Sequence, residues 1–269
     1  MGGDRAKYFL TDSPTQSLFF KRFSRGCLCR MGQVIRQDWA IPLTMMHALL
    51  EVLQSDWVAA QTMGRQEKEL IAMLGAYAVI AFCGSFRGDE VEYGTAKYLS
   101  TRDIPVNTVI VPLLGRFKGE TGERYHLTPL VAVTSSGIQV KSLISRLVEI
   151  KTARGYVRGP LFGDDGLVIM AKIIELELME RLHGIKESHP GLIPSDLDRY
   201  EDFGISCSFR CGATSAAQTR GVDNKYVNLI NWWRNFEESK GWHPTLSMQD
   251  HYSGIQVLLL ELMKFSLAL

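Results

Sequence analysis

Two arginines stand in sequence contexts that could hold a phosphate group. Arg87 directly follows a long apolar stretch, in the string F-C-G-S-F-R-G-D-E-V. An arginine at the end of a buried helix presents a permanently charged planar fork that matches the oxygens of a phosphate. The alternative is a surface arginine paired with Asp89 or Glu90. The second arginine, Arg210, closes the string C-S-F-R.

Small residues follow Arg210 and predict a helix that packs closely against its neighbours. A buried arginine needs an anionic partner, because an unpaired buried charge is expensive. That partner could be a substrate phosphate or a structural carboxylate. The small residues are Gly212, Ala213, Ser215, Ala216 and Ala217.

Three other side chains could supply acid, donor or nucleophile chemistry. Lys118 lies in a predicted hairpin turn, where it could donate a proton or simply be an exposed turn lysine; the segment lacks the G-x4-G-K-[ST] pattern of a nucleotide-binding loop. Trp233 belongs to the string N-W-W-R. Tyr252 could act as a nucleophile if cations stabilise its phenolate, although a core tyrosine is the ordinary alternative.

Composition restricts the classes of function. The 269 residues suffice for a packed core, and 30 basic against 29 acidic residues leave a net charge of +1, so any nucleic-acid surface must be local. No metal-ligand spacing is present, and no cofactor is predicted. We expect reduced thiols in an intracellular protein, nuclear if the source is eukaryotic. The five cysteines are Cys27, Cys29, Cys83, Cys207 and Cys211.

Apolar periodicity predicts that helices carry most of these residues. The stretch from Leu43 to Trp57 has three- and four-residue spacing, and Glu67 to Phe82 predicts a second, more buried helix. The uncharged run 70–86 is at the short limit for a membrane span, and a core helix is favoured. Further helices are predicted at 140–150, 167–182, 208–219, 223–239 and around 248–269, with a loop at 183–194.

One segment has a different pattern and predicts a β-hairpin. Val106–Leu114 and Tyr125–Thr134 are apolar, and the turn cluster Gly115–Glu123 separates them. The predicted fold class is therefore mainly α with a small antiparallel β-sheet (α+β). Residues 1–40 carry seven basic and three acidic residues and predict a basic arm, so the main domain would be 41–269.

The order of the candidate residues resembles the catalytic domain of the tyrosine recombinase (phage integrase) family. That family has an arginine closing a buried helix, a hairpin lysine, H-x-x-R, a His or Trp, and a late tyrosine. The matching residues here are Arg87, Lys118, Arg210, Trp233 and Tyr252.

Transposon-associated members of the family are the most similar. Their S-F-R-R-G-A-T, G-V, R-W-R and M-x-x-H-Y strings correspond to S-F-R-C-G-A-T from Ser208, Gly221-Val222, W-W-R from Trp232 and M-Q-D-H-Y from Met248. The resemblance covers about residues 20 to 269 and implies a recombinase-like catalytic domain.

The resemblance implies a DNA strand-breaking and rejoining reaction. Tyr252 would attack a phosphate and form a 3′-phosphotyrosyl bond, while Arg87 and Arg210 hold its non-bridging oxygens. Lys118 would protonate the leaving 5′-oxygen, and Trp233 would donate its indole N–H or pack the site. The implied partner is double-stranded DNA, with self-association on it; no membrane, nucleotide or metal is implied.

Three departures from the family pattern favour an alternative function. The histidine of H-x-x-R is Cys207 here, and the second arginine of S-F-R-R is Cys211. The N-terminal core-binding domain of the family is represented only by the basic arm 1–40. A catalytically degenerate DNA-binding remnant of a mobile element is therefore the alternative.

The apolar segment 255–267 should be buried, either on its own chain or on a neighbouring protomer.

Overall fold

A computed structural model gives the architecture of the unit Asp38–Leu269, one of the two units into which the chain divides; the other is Met1–Gln37. The basic arm and its boundary stay predictions, because residues 1–37 lie outside the described residues. The structure describes residues 38–91, 107–115, 124–156, 160–164, 167–168, 171–193, 203–231 and 263–269.

Helices form most of the described structure, and two short antiparallel pairs of strands complete it. This confirms the coarse prediction of a mainly α protein with a small antiparallel sheet. The helices are α1 (Leu43–Ala60), α2 (Arg65–Cys83), α3 (Gly88–Val91), α4 (Val140–Ala153), α5 (Ala171–Ser188), α6 (Ile205–Thr219), α7 (Asn224–Ile230) and α8 (263–268). The strands are β1 (Thr108–Gly115), β2 (Arg124–Val131), β3 (Gly163–Asp164) and β4 (Leu167–Val168).

The central element is α2, which packs against α1, α4 and α6. Every residue of α2 from Ile71 to Cys83 is buried, so the helix is apolar around its whole circumference. This burial agrees with the predicted core helix. None of the helices in the described ranges has the length and apolar character needed to cross a membrane.

A buried ionic cluster joins the start of α2 to the end of α4. The Glu69 carboxylate lies 2.6 Å from Lys151 Nζ and 2.8 Å from Arg154 Nη1. Lys151 is 1% exposed and also donates to the carbonyl of Gly163. The two cations therefore neutralise the Glu69 carboxylate that α2 buries, and the Gly163 carbonyl accepts a hydrogen bond from the buried ammonium of Lys151.

The predicted hairpin is present in its paired strands. β1 and β2 are antiparallel, with Thr108 opposite Val131 and Gly115 opposite Arg124. The connection 116–123 lies outside the described residues.

Two predicted boundaries around α5 are wrong. Residues 167–168 form β4, which pairs with β3, so the helix begins at Ala171. It ends at Ser188, inside the predicted loop 183–194. The first proline beyond it is Pro190, and Ser188 Oγ donates to the carbonyl of Gly184 at 2.7 Å. Nothing in the sequence therefore ends the helix at residue 182.

The C-terminal residues 263–269 pack on their own chain. Phe265 and Leu269 are fully buried. The backbone N–H of Val131 donates to Ser266 Oγ at 3.2 Å, and the N–H of Ser135 donates to the carbonyl of residue 267 at 3.0 Å. The predicted burial is confirmed for Phe265, whereas the side chain of Leu267 is 52% exposed, so the prediction is wrong at that position. Residues 255–262 lie outside the described part.

Candidate functional site

Three of the six predicted site residues lie in the described part of the chain. Arg87 follows the end of α2, and Cys207 and Arg210 lie on α6. The other three, Lys118, Trp233 and Tyr252, lie outside the described residues.

The end of α2 is a tight turn that leads directly to Arg87. Ser85 has φ +53°, and it is the only non-glycine residue with a positive φ in the part of the chain that the structure describes. Its N–H donates to Phe82 O at 3.1 Å, and the N–H of Phe86 donates to Ala81 O at 2.9 Å. These two bonds form a Schellman motif, in which glycine normally occupies the left-handed position. A serine there costs about 1–2 kcal/mol of backbone strain.

The side chain of Ser85 anchors this turn to α6 and to the residue that follows α7. Ser85 is fully buried, and its Oγ donates to Asn231 Oδ1 at 2.8 Å and lies 3.4 Å from Thr214 Oγ1. Asn231 Nδ2 donates to Thr214 Oγ1 at 3.1 Å and to the Val227 carbonyl at 2.9 Å. We call Ser85, Thr214 and Asn231 the Ser85 network. It joins the end of α2 to α6 and to the residue that follows α7.

One carboxylate connects the turn to Arg210. Glu90 Oε2 accepts the backbone N–H of Arg87 at 2.9 Å and the Nη2 of Arg210 at 2.6 Å. Arg210 Nε donates to the carbonyl of Ser85 at 2.7 Å. The Glu90 and Arg210 side chains are only 11% and 8% exposed. Arg210 therefore has the anionic partner that its burial requires, and the plane of its guanidinium is fixed on two sides.

Arg87 differs from Arg210 in its contacts. Its side chain is partly buried, and within the described ranges its guanidinium makes no hydrogen bond or ion pair. The predicted alternative of pairing with Glu90 is wrong for the side chain, because Glu90 binds the backbone N–H of Arg87. The pairing with Asp89 concerns a side chain outside the described part. Arg87 stands on the same turn whose Ser85 carbonyl binds Arg210, and a guanidinium group is suited to binding an anion.

The two cysteines of α6 lie on the same side of the helix, one turn apart. Cys207 is partly buried, and its N–H donates to Gly204 O at 2.7 Å in the first turn of α6. Burial raises the pKa of Cys211, and the neighbouring Cys207 and Asp38 raise it further, while Arg210 opposes the shift. The Cys211 thiol is thus kept protonated, and a thiol is a weak hydrogen-bond donor.

A backbone contact fixes α6 next to the start of α1. The N–H of Ile41 donates to Ser208 O at 3.0 Å. A Cβ atom on Gly212 would overlap the carbonyl of Ile41, so glycine is required there. Of the predicted small residues, Gly212, Ala213 and Ala217 are buried, whereas Ser215 is exposed. The close approach that these residues predict is therefore made along one face of α6.

The sequence does not predict the contacts that hold the arginines. The sequence predicts Glu90 only as an alternative partner of the Arg87 side chain, and the three-residue spacing from Arg87 is the only local signal that relates Glu90 to this turn. Ser85 follows a glycine at a helix end, where a left-handed residue is common, but a buried serine gives no local signal of its contacts. Thr214 lies within the run of small residues on α6, and nothing in the sequence distinguishes it as a hydrogen-bonding partner.

The described residues contain no cluster of three or more His, Cys, Asp or Glu side chains that could hold a metal ion.

No protein-family model matches the chain. A comparison with curated proteins gives no significant match either. The site must therefore be interpreted from its own residues and their geometry.

Proposed function

We propose that this protein is a tyrosine recombinase that cuts and rejoins double-stranded DNA through a 3′-phosphotyrosyl intermediate. The observation that supports the proposal is the shared carboxylate of Glu90. Through it, the Arg87 turn and the Arg210 guanidinium, which is 120 positions further along the chain than Glu90, are held together. Arg87 and Arg210 together would stabilise the negative charge that develops on a phosphate in the transition state.

In the proposed reaction Tyr252 loses its phenolic proton to solvent, and the resulting phenolate oxygen attacks the scissile phosphorus. The new P–O bond to tyrosine forms as the bond to the 5′-oxygen breaks, and Lys118 gives its proton to that oxygen. Arg87 and Arg210 bind the non-bridging oxygens, and Trp233 donates its indole N–H or packs against the phosphate. Attack by a 5′-hydroxyl on the phosphotyrosine reverses these steps and rejoins the strand.

A degenerate DNA-binding remnant is the second candidate, and Cys207 favours it. At the position where the resembled family has histidine, a thiol supplies a much weaker hydrogen bond to a phosphate oxygen. Such a remnant would bind DNA with a strong salt dependence but would form no covalent adduct.

The discriminating experiment uses a library of nicked duplexes with randomised sequence, in which cleavage releases a short strand and traps the covalent complex. The wild-type protein should retain DNA on denaturing gels, and sequencing of that DNA would identify the substrate. Binding without any trapped adduct would favour the remnant. Absence of both would refute the two candidates together.

Arg87→Ala is the most informative variant for this assay, because the Arg87 side chain makes no ion pair within the described residues. Cleavage should slow by about 10²–10³-fold, as for loss of one donor to a developing oxyanion. Arg65→Ala is the matched control, since Arg65 is exposed at the opposite end of the 19-residue helix α2, about 27 Å away. Equal cleavage by the two variants would remove Arg87 from the site.

A further inference from the structure

We propose that the Ser85 network is a positioning device, which holds Arg87 and Arg210 in the geometry that binds one phosphate. This inference rests on the proposed function above. Ser85, Thr214 and Asn231 would not touch the substrate; they would act through the two arginines.

The backbone of Ser85 controls both arginines. Its carbonyl accepts the Nε of Arg210 at 2.7 Å, and Arg87 is only two residues further along the same turn. A rotation of the turn would therefore move the acceptor that holds one arginine and the Cα that carries the other. The orientation of this single turn couples the two cations.

The identity of residue 85 indicates that its hydroxyl is the important group. Glycine adopts φ +53° without strain, whereas serine does so at a cost. The serine hydroxyl is fully buried and donates to Asn231 Oδ1 at 2.8 Å. A strained left-handed conformation is thus kept in place by a buried hydrogen bond that glycine could not make.

The other two members extend this anchor to the neighbouring helices. Asn231 is 2% exposed and donates to both Thr214 Oγ1 and the Val227 carbonyl. Thr214 lies one turn after Arg210 on α6, so the network and the arginine share a helix. Asn231 immediately precedes the string W-W-R that contains Trp233. The network therefore links three chain segments that carry predicted site residues.

Ser85→Gly distinguishes the positioning of the two arginines by the Ser85 hydroxyl from the relief of backbone strain at residue 85. The variant keeps the left-handed turn and removes only the anchoring hydroxyl. We expect thermal stability and DNA affinity close to those of the wild type. Single-turnover cleavage of the nicked duplex should be about 10- to 100-fold slower, because a small misplacement of catalytic groups has an effect of this size. Thr214→Val, a near-isosteric change, should act in the same direction.

The matched control is Ser208→Ala on the same helix. Ser208 is also fully buried, but within the described residues its hydroxyl has no hydrogen-bond partner. Its removal should leave the cleavage rate unchanged. Cleavage by Ser85→Gly at the wild-type rate would overturn the proposal, because relief of strain would then be the only consequence of losing the hydroxyl.

A second measurement decides the proposal even if the wild-type protein forms no covalent adduct, a result that would refute the proposed function itself. The Arg210 Nε–H resonance, assigned by its loss in Arg210→Lys, reports the hydrogen bond to Ser85 O. We expect Ser85→Gly to shift or broaden this resonance, and Ser208→Ala to leave it in place. An unchanged resonance in Ser85→Gly would show that the network does not position Arg210.

Discussion

Replacement of Glu90 by glutamine tests how the two arginines are held. The change keeps the shape of the side chain and one acceptor oxygen, but it removes the negative charge. Glu90 Oε2 currently accepts from Arg210 Nη2 at 2.6 Å and from the backbone N–H of Arg87 at 2.9 Å. In the variant a neutral oxygen must serve both donors, and Arg210 is left without its buried counter-charge.

The magnitude follows from the burial of the pair. Loss of one partner of a buried ion pair costs about 3–5 kcal/mol, because the remaining charge stays desolvated. The Arg210 and Glu90 side chains are 8% and 11% exposed, so solvent cannot replace the lost partner. Since glutamine retains one acceptor, we expect the lower end, about 3 kcal/mol. For a domain of this size that corresponds to a fall in Tm of about 6–12 °C.

Chemical denaturation with urea gives the free energy of unfolding directly, and thermal unfolding gives Tm. The control is Glu177→Gln, which removes an ion pair of nearly the same length, 2.8 Å to Arg181, at a carboxylate that is 39% exposed. That change should cost less than about 1 kcal/mol. Equal losses in Glu90→Gln and Glu177→Gln would refute the reasoning that burial gives the Glu90 pair its importance.

Three further perturbations test the packing of the fold. Gly212→Ala should lower the free energy of unfolding by about 3 kcal/mol, because its Cβ would overlap a backbone carbonyl. Gly184→Ala, which has open space around it in α5, should be neutral or stabilising, and urea denaturation compares the two variants. Phe265→Ala should cost about 3–5 kcal/mol and Leu267→Ala, at a side chain 52% exposed, less than about 1 kcal/mol; similar losses would contradict the docking of the C-terminal residues. Burial raises the pKa of Cys83 from 9.0 to about 12, so the unfolded state loses this proton first. The stability of the wild type relative to Cys83→Ala should therefore fall above pH 9, with a slope approaching about 1.4 kcal/mol per pH unit up to pH 12, and parallel curves would contradict this.

The central helices could be predicted because their signal is local. The apolar periodicity of 43–57 and the uninterrupted run before Arg87 indicate α1 and α2 directly, and the structure extends them by only a few residues. The strands β3 and β4 could not be predicted, since two-residue strands have no periodicity. The sequence does mark the end of α5, because Pro190 follows Ser188 by two residues; the predicted end at residue 182 has no such stop signal.

The candidate site was only partly predictable for a different reason. Arg87 and Arg210 were recognisable from their strings and from the resemblance, but the choice of Glu90 as the partner of Arg210 depends on a contact across 120 positions. A single sequence carries no information on such long-range pairs. The positive φ of Ser85 likewise depends on buried partners far along the chain, Thr214 on α6 and Asn231 directly after α7. The roles of Lys118, Trp233 and Tyr252 remain predictions from the sequence.

Covalent attachment of DNA to Tyr252 is the measurement that tests the proposed function most directly. Wild-type protein incubated with nicked duplexes should yield a peptide containing Tyr252 linked to the 3′-phosphate of the cleaved strand, identified by mass spectrometry after nuclease and protease digestion. Tyr252→Phe removes only the phenolic oxygen, so it should bind DNA and form no adduct. An adduct that persists in Tyr252→Phe, or its absence from the wild type on duplexes that the protein binds, would contradict the proposed reaction.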